Sequence, residues 1–259
     1  MKIRLSRSIV PNLFTVLNIF FGFMCMIHAL QGKYVLAAWY VILSAICDSL
    51  DGFMARLTHS ASEFGVELDS LADVVSFGVA PSFLLYSLVL HDYGAFGALV
   101  AALPLILGAL RLARFNVQLV GFSKEYFTGM PIPLSALTLI SYVLFFHPQE
   151  VVASEQLRIG LIALTVACGI LMVSTIRYPV IPRISIGAFR EKPFAMSAFA
   201  IGALAVLVSL GKLLFPVLML VMISGPFFAT GRLIRRGHAR YYSVSDDNDD
   251  EHHITADSN

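Results

Sequence analysis

Residues 34–57 read YVLAAWYVILSAICDSLDGFMARL and residues 63–90 read EFGVELDSLADVVSFGVAPSFLLYSLVL, with THSAS at 58–62 between them. A bilayer core of about 30 Å takes roughly 20 helical residues, so either run is long enough to cross. Neither alternates polar and apolar positions, as a barrel strand must, so helices are expected. A turn this short forces the two helices antiparallel. The stretch therefore predicts a transmembrane helical hairpin, and it carries four aspartates that lipid would not tolerate alone.

Working outward, six further apolar runs lie at about 11–31, 94–120, 130–147, 157–178, 193–211 and 213–233. The fold class expected is all-α integral membrane, with about eight transmembrane helices. Composition agrees: of 259 residues, 58% are hydrophobic, 14% are charged, and the mean hydropathy is +0.79. Soluble domains carry about 25% charged residues, so a soluble enzyme, a disordered chain and a nucleic-acid binder are all excluded. Cys25, Cys47 and Cys168 sit inside apolar runs without metal-ligand spacing and read as inert core thiols, not a disulfide framework.

Basic residues set the orientation, because cytoplasmic loops retain Lys and Arg. With eight spans, 15 of the 18 bases fall on one side and only Lys33, Arg158 and Lys212 on the other. Both termini are then expected in the cytoplasm. Residues 1–240 form one multi-pass domain in this reading, and 241–259 an acidic, disordered cytoplasmic tail. The tail hides a charge excess: the net charge is +1, yet residues 1–245 hold 18 bases against 11 acids.

An acid inside a span costs at least about 2.5 kcal/mol on insertion scales and marks a functional site by default. Asp48 and Asp51 are three residues apart and Asp69 and Asp73 four apart, so each pair shares a helix face. The pairs are symmetric about residue 60, which sets Asp51 opposite Asp69 and Asp48 opposite Asp73 at matched depth. Four ionised carboxylates at close range repel unless cations join them. Oxygen donors suit Mg²⁺ or Mn²⁺, and four acids can hold two such ions. Gly52, Ala55 and Gly65 leave room on the same faces, and Arg56 offers a fixed cation to phosphate oxygens. Together these point to chemistry on a lipid diphosphate. Simple pairing with arginines, or capping of the turn, does not account for four acids at matched depth. A cation-coupled transporter, the rival from another class, would scatter its acids near the midplane on paired broken helices.

The pattern Asp48-x2-Asp51-Gly52-x2-Ala55-Arg56-x8-Gly65-x3-Asp69-x3-Asp73 resembles, at every fixed position, the signature of the CDP-alcohol phosphatidyltransferases. The resemblance runs from about residue 8 to about 235. Pro11-Asn12-Leu13-Phe14-Thr15, Arg111-Leu112-Ala113-Arg114-Phe115-Asn116, Gly129-Met130-Pro131-Ile132-Pro133 and Met172-Val173-Ser174-Thr175-Ile176-Arg177-Tyr178 look like its phosphatidylserine synthase branch.

The resemblance implies a six-helix catalytic core with two C-terminal helices added, often as a homodimer. It implies that Asp48, Asp51, Asp69 and Asp73 hold the metals and that Asp73 is also the general base. Asn12, Thr15, Gly52, Arg56, Ser62 and Gly65 would surround the diphosphate and cytidine of CDP-diacylglycerol. The acceptor hydroxyl, L-serine's in this branch, would attack the diacylglycerol-side phosphorus and expel CMP. Serine's carboxylate wants an arginine, and Arg111, Arg114, Asn116, Ser174 and Arg177 are the candidates. Glycerol 3-phosphate or inositol phosphate would want arginines as well, so these residues leave the acceptor open.

Overall fold

The computed structural model describes residues 9–58, 62–119, 127–178, 209 and 212–227. In chain order the elements are α1 (Ile9–Leu30), α2 (Tyr34–Leu57), α3 (Glu63–Leu88), α4 (Gly94–Leu119), β1 (Phe127–Thr128), α5 (Ile132–Phe146), α6 (Pro148–Ala153), α7 (Glu155–Val173), β2 (Arg177–Tyr178) and α8 (Leu214–Phe227). Five helical stretches are long and apolar enough to cross a membrane: Ile9–Leu30, Tyr34–Leu57, Glu63–Leu88, Leu90–Val117 and Glu155–Val173. α5 and α8 are shorter apolar helices. Apart from the two-residue β pair the described chain is helical, so the all-α membrane class holds. Of the eight predicted spans, that at 193–211 lies outside the described residues except for Ser209, as does the end of the last one. The acidic tail and the tail boundary at 241 also lie outside them.

α1 and α2 are inside-out relative to soluble helices. On α1 the buried positions are Pro11, Thr15, Asn18, Gly22, Cys25 and Ala29, small or polar, while Leu13, Val16, Phe20 and Phe23 face outward. Lipid receives the large apolar groups, and small residues let the backbones approach. α2 answers with Ala37, Ala38, Val41 and Ser44 on its buried face. Between α1 and α2 the turn closes on Gly32 (φ +71°), with Gly32 N–H donating to Ala29 O (3.0 Å) and Lys33 N–H to His28 O (2.9 Å). That is the Schellman arrangement, and the left-handed φ is why glycine stands there.

A Cβ on Gly22 would lie 2.6 Å from Ser76 Oγ and 2.9 Å from Ser76 Cα, so α1 touches α3 backbone to backbone at this point. Gly22→Val is expected to destabilise the fold by about 1–3 kcal/mol, the usual cost of overpacking. Thermal unfolding of the detergent-solubilised protein measures it.

Within α3, Val74–Val79 winds as a π-helix immediately after Asp73. Phe77 within it, and Leu84 and Leu85 beyond it, enter the core with Ile132, Leu139, Ile140, Leu161 and Met172. α8 joins this core through Phe215, whose ring packs 5.3 Å from that of Tyr142. At the end of the bundle away from the aspartates, Arg158 pairs with Asp92 at 3.0 Å.

One boundary differs from the sequence reading. The run at 157–178 is helical only to Val173, and its last residues turn back so that Thr128 pairs with Arg177 and Phe127 with Tyr178. Gly129 makes the turn possible, at φ +82°, since a Cβ there would sit 2.2 Å from Met172 O. An apolar run reports lipid, not where backbone pairing interrupts it.

Candidate active site

Three helices build the site. α2 brings Asp48 and Asp51 down its buried face, and α3 returns with Asp69 and Asp73. The N-terminus of α3 is fixed by Ser62, whose hydroxyl accepts from the Gly65 N–H at 3.1 Å. One carboxylate oxygen each from Asp48, Asp51 and Asp69 lies within 4.8 Å of the other two. Asp48 and Asp73 carboxyl groups stand within hydrogen-bonding reach of each other across the hairpin. The depth matching read from the sequence is thus present in space. Asp51, 6% exposed, is held from α1 by the Thr15 hydroxyl, which donates to its Oδ2 at 3.0 Å.

The donor set fits a hard divalent cation. All of it is carboxylate, and Asp69 Oδ1 and Asp73 Oδ1 are buried without a hydrogen-bond donor, an arrangement that is costly unless a cation or proton meets those oxygens. Carboxylates this close repel, which is the same statement in electrostatic form.

Beside the acids opens a cavity of about 230 Å³. Pro11, Asn12, Thr15, Asp51, Gly52, Ala55, Arg56, Ser62, Gly65, Val66 and Asp69 line it. Asn12, Thr15, Gly52, Arg56, Ser62 and Gly65, the six residues expected around CDP-diacylglycerol, therefore share one wall system. The glycines make the space: a Cβ on Gly65 would stand 3.1 Å from Ser62 Oγ and 3.4 Å from Asn12 Oδ1, and one on Gly52 3.3 Å from Arg56 Nη1.

The acceptor candidates lie on α4, at the end of α7 and in β2. Arg111 is 6% exposed, its Nε has no hydrogen-bond partner, and Asp73 and Arg114 are the charges that act on it. Arg114 donates from Nη1 to Val173 O at 3.0 Å, tying α4 to the end of α7, beside Ser174, which donates to Leu171 O. Asn116 donates to Ser70 Oγ at 3.0 Å, and so braces α4 against the aspartate helix next to Asp69. Arg177 sits in the β pair, and its side chain lies outside what the structure describes. Sequence reasoning passed over Asn18, wholly buried on α1 one turn past Thr15. The signal was available: a second polar residue on the Thr15 face of an otherwise apolar run.

Comparisons with known proteins point the same way. Residues 8–173 match the CDP-alcohol phosphatidyltransferase family. The chain is 46% identical over 171 residues to a CDP-diacylglycerol–serine O-phosphatidyltransferase of Helicobacter pylori, covering 65% of this chain and 71% of that one. It is 38% identical over 172 residues to the archaetidylserine synthase of Methanothermobacter thermautotrophicus, covering 66% and 69%. A third relative, the CDP-diacylglycerol–serine O-phosphatidyltransferase of Bacillus subtilis, is 34% identical over 172 residues, covering 66% and 89%. The spaced aspartates, the cavity beside them and a match spanning the first seven helices lead to one assignment: the chain belongs to the CDP-alcohol phosphatidyltransferase family.

Proposed function

We propose that the protein transfers the phosphatidyl group of CDP-diacylglycerol to the hydroxyl of L-serine, giving phosphatidylserine and CMP. The observation that carries the reading is the cavity in which six polar or glycine positions meet the aspartate cluster. In this reading, Asn12, Thr15, Gly52, Arg56, Ser62 and Gly65 receive the diphosphate and cytidine. Arg56 meets phosphate oxygens, and the glycines let them approach the backbone. Asp48, Asp51, Asp69 and Asp73 hold Mg²⁺ or Mn²⁺, two ions for four acids, and such ions supply Lewis-acid neutralisation of the diphosphate. Thr15 fixes the Asp51 carboxylate. Asp73 accepts the proton of the serine hydroxyl as its oxygen bonds to the diacylglycerol-side phosphorus and the bond to the CMP oxygen breaks. Arg111, buried and within the field of Asp73, receives the serine carboxylate. Arg114, Asn116, Ser174 and Arg177 are the further residues assigned to the acceptor.

The acceptor rests on the relatives rather than the arginines, since all three relatives reported above carry serine in their names. The site faces the cytoplasm in this proposal, with both termini, because 15 of 18 bases fall on that side. The protein works as a homodimer in this proposal.

The test supplies purified protein with CDP-diacylglycerol and, in turn, L-serine, glycerol 3-phosphate or inositol phosphate, with and without Mg²⁺ or Mn²⁺. CMP release with serine alone, and only with the metal, is the expected result. Release only with another alcohol moves the acceptor. No release under any condition removes the enzyme and favours the cation-coupled transporter.

A further inference from the structure

Asn18 is 0% exposed, and neither its Nδ2 nor its Oδ1 has a hydrogen-bond partner. Its backbone is pinned: the Asn18 carbonyl accepts from Ser76 Oγ at 2.8 Å and from Ser44 Oγ at 3.1 Å. Those two serines lie about one turn beyond Asp73 and Asp48, on α3 and α2 respectively. Helix register gives the same level. α1 and α2 run antiparallel with Thr15 against Asp51, so three residues on, Asn18 comes opposite Asp48. α1 and α3 run parallel with Asn12 beside Gly65 and Gly22 against Ser76, so Asn18 falls at the level of Leu71 and Ala72, a residue or two short of Asp73.

A fully buried amide with a free donor thus sits at the depth of the inner carboxylate pair, where Asp73 Oδ1 is an acceptor equally without a partner. Asn can offer two N–H donors to a carboxylate and adds no charge to a site already crowded with acids. We propose that Asn18 is a positioning residue for the inner pair, its Nδ2–H group orienting the Asp73 and Asp48 carboxylates for the cations they hold. The inference rests on the proposed metal-dependent reading of the four acids, but not on the identity of the acceptor. Groups that orient metal-binding carboxylates commonly change affinity by about 10–100-fold when removed.

A buried polar group without a partner also burdens the fold, so an apolar replacement of similar size should leave stability equal or improved. That separates positioning from structure. Asn18→Leu and Asn18→Ala are prepared in parallel, and two quantities are measured on each solubilised variant. One is the Mn²⁺ dissociation constant by electron paramagnetic resonance; the other is the thermal midpoint of the metal-free protein. The expected result for Asn18→Leu is an Mn²⁺ affinity weaker by about tenfold or more with an unchanged or higher midpoint. An affinity within about twofold of wild type overturns the proposal. So does a loss of affinity matched by a fall in the metal-free midpoint, or failure of both variants to fold, since each makes Asn18 a structural residue. If Asn18→Leu alone fails to fold, Asn18→Ala is read by the same criteria. Mn²⁺ binding reports on Asn18 even where no alcohol yields CMP, so failure of the enzymatic reading would be seen separately.

Discussion

Asp73→Asn is expected to lower kcat by about 10²–10⁴-fold, the usual worth of a positioned general base, while CDP-diacylglycerol still binds. The amide keeps the shape of the side chain and one coordinating oxygen, and it loses the ability to take a proton. Asp73 lies at the inner end of the cluster, against Asp48, whereas the cavity proposed for the liponucleotide touches Asp51 and Asp69. Liponucleotide binding and single-turnover CMP release, measured on the same preparation, separate the two effects. Wild-type turnover in this variant would remove the base role from Asp73.

Asp51→Ala is expected to abolish metal binding and turnover together, with Asp48→Ala and Asp69→Ala close behind it. Each of these three offers an oxygen to the same point, within 4.8 Å of the other two, so losing one opens the set. The cost should exceed the about 10–100-fold typical of groups standing behind a ligand. A second readout comes from stability. The acids repel one another until cations join them, so Mg²⁺ or Mn²⁺ should raise the thermal midpoint of the wild type, by about 2.7 kcal/mol of stabilisation at a hundred times the dissociation constant. Chelation should reverse the rise, and Asp51→Ala should show little of it. A full metal-dependent shift in Asp51→Ala would exclude this carboxylate from the ligand set.

Helix existence was legible because lipid demands long apolar runs, and these runs are almost free of charge. The acidic cluster was legible for the opposite reason: Asp48, Asp51, Asp69 and Asp73 violate that rule, and a short turn between two helices leaves one way to align them. What stayed hidden shares one physical cause. In a membrane both the lipid and the protein interior are apolar, so hydrophobic periodicity does not tell which face of a helix turns inward. Apolar periodicity is silent on Asn18, and only its place on the Thr15 face marks it as inward. Nor could the approach of Arg111 to Asp73, which depends on how α4 rotates against α3. The end of α7 at Val173 was missed because Thr175 and Ile176 are as compatible with a helix as with the extended turn they adopt.

The π-helical turn at Val74–Val79 has a consequence for how such a site can be adjusted. Each residue of an α-helix advances the direction of its side chain by about 100°, and a π-turn absorbs one extra residue. The spacing of Asp69 and Asp73 is set by the α-helical stretch Glu63–Asp73, while the angle between that stretch and the packing half of α3 is set at Val74–Val79. Placement of the acids and packing of the core are therefore governed by different parts of one helix. The half beyond the π-turn can repack around Leu84 and Leu85 without changing how the two carboxylates stand relative to each other.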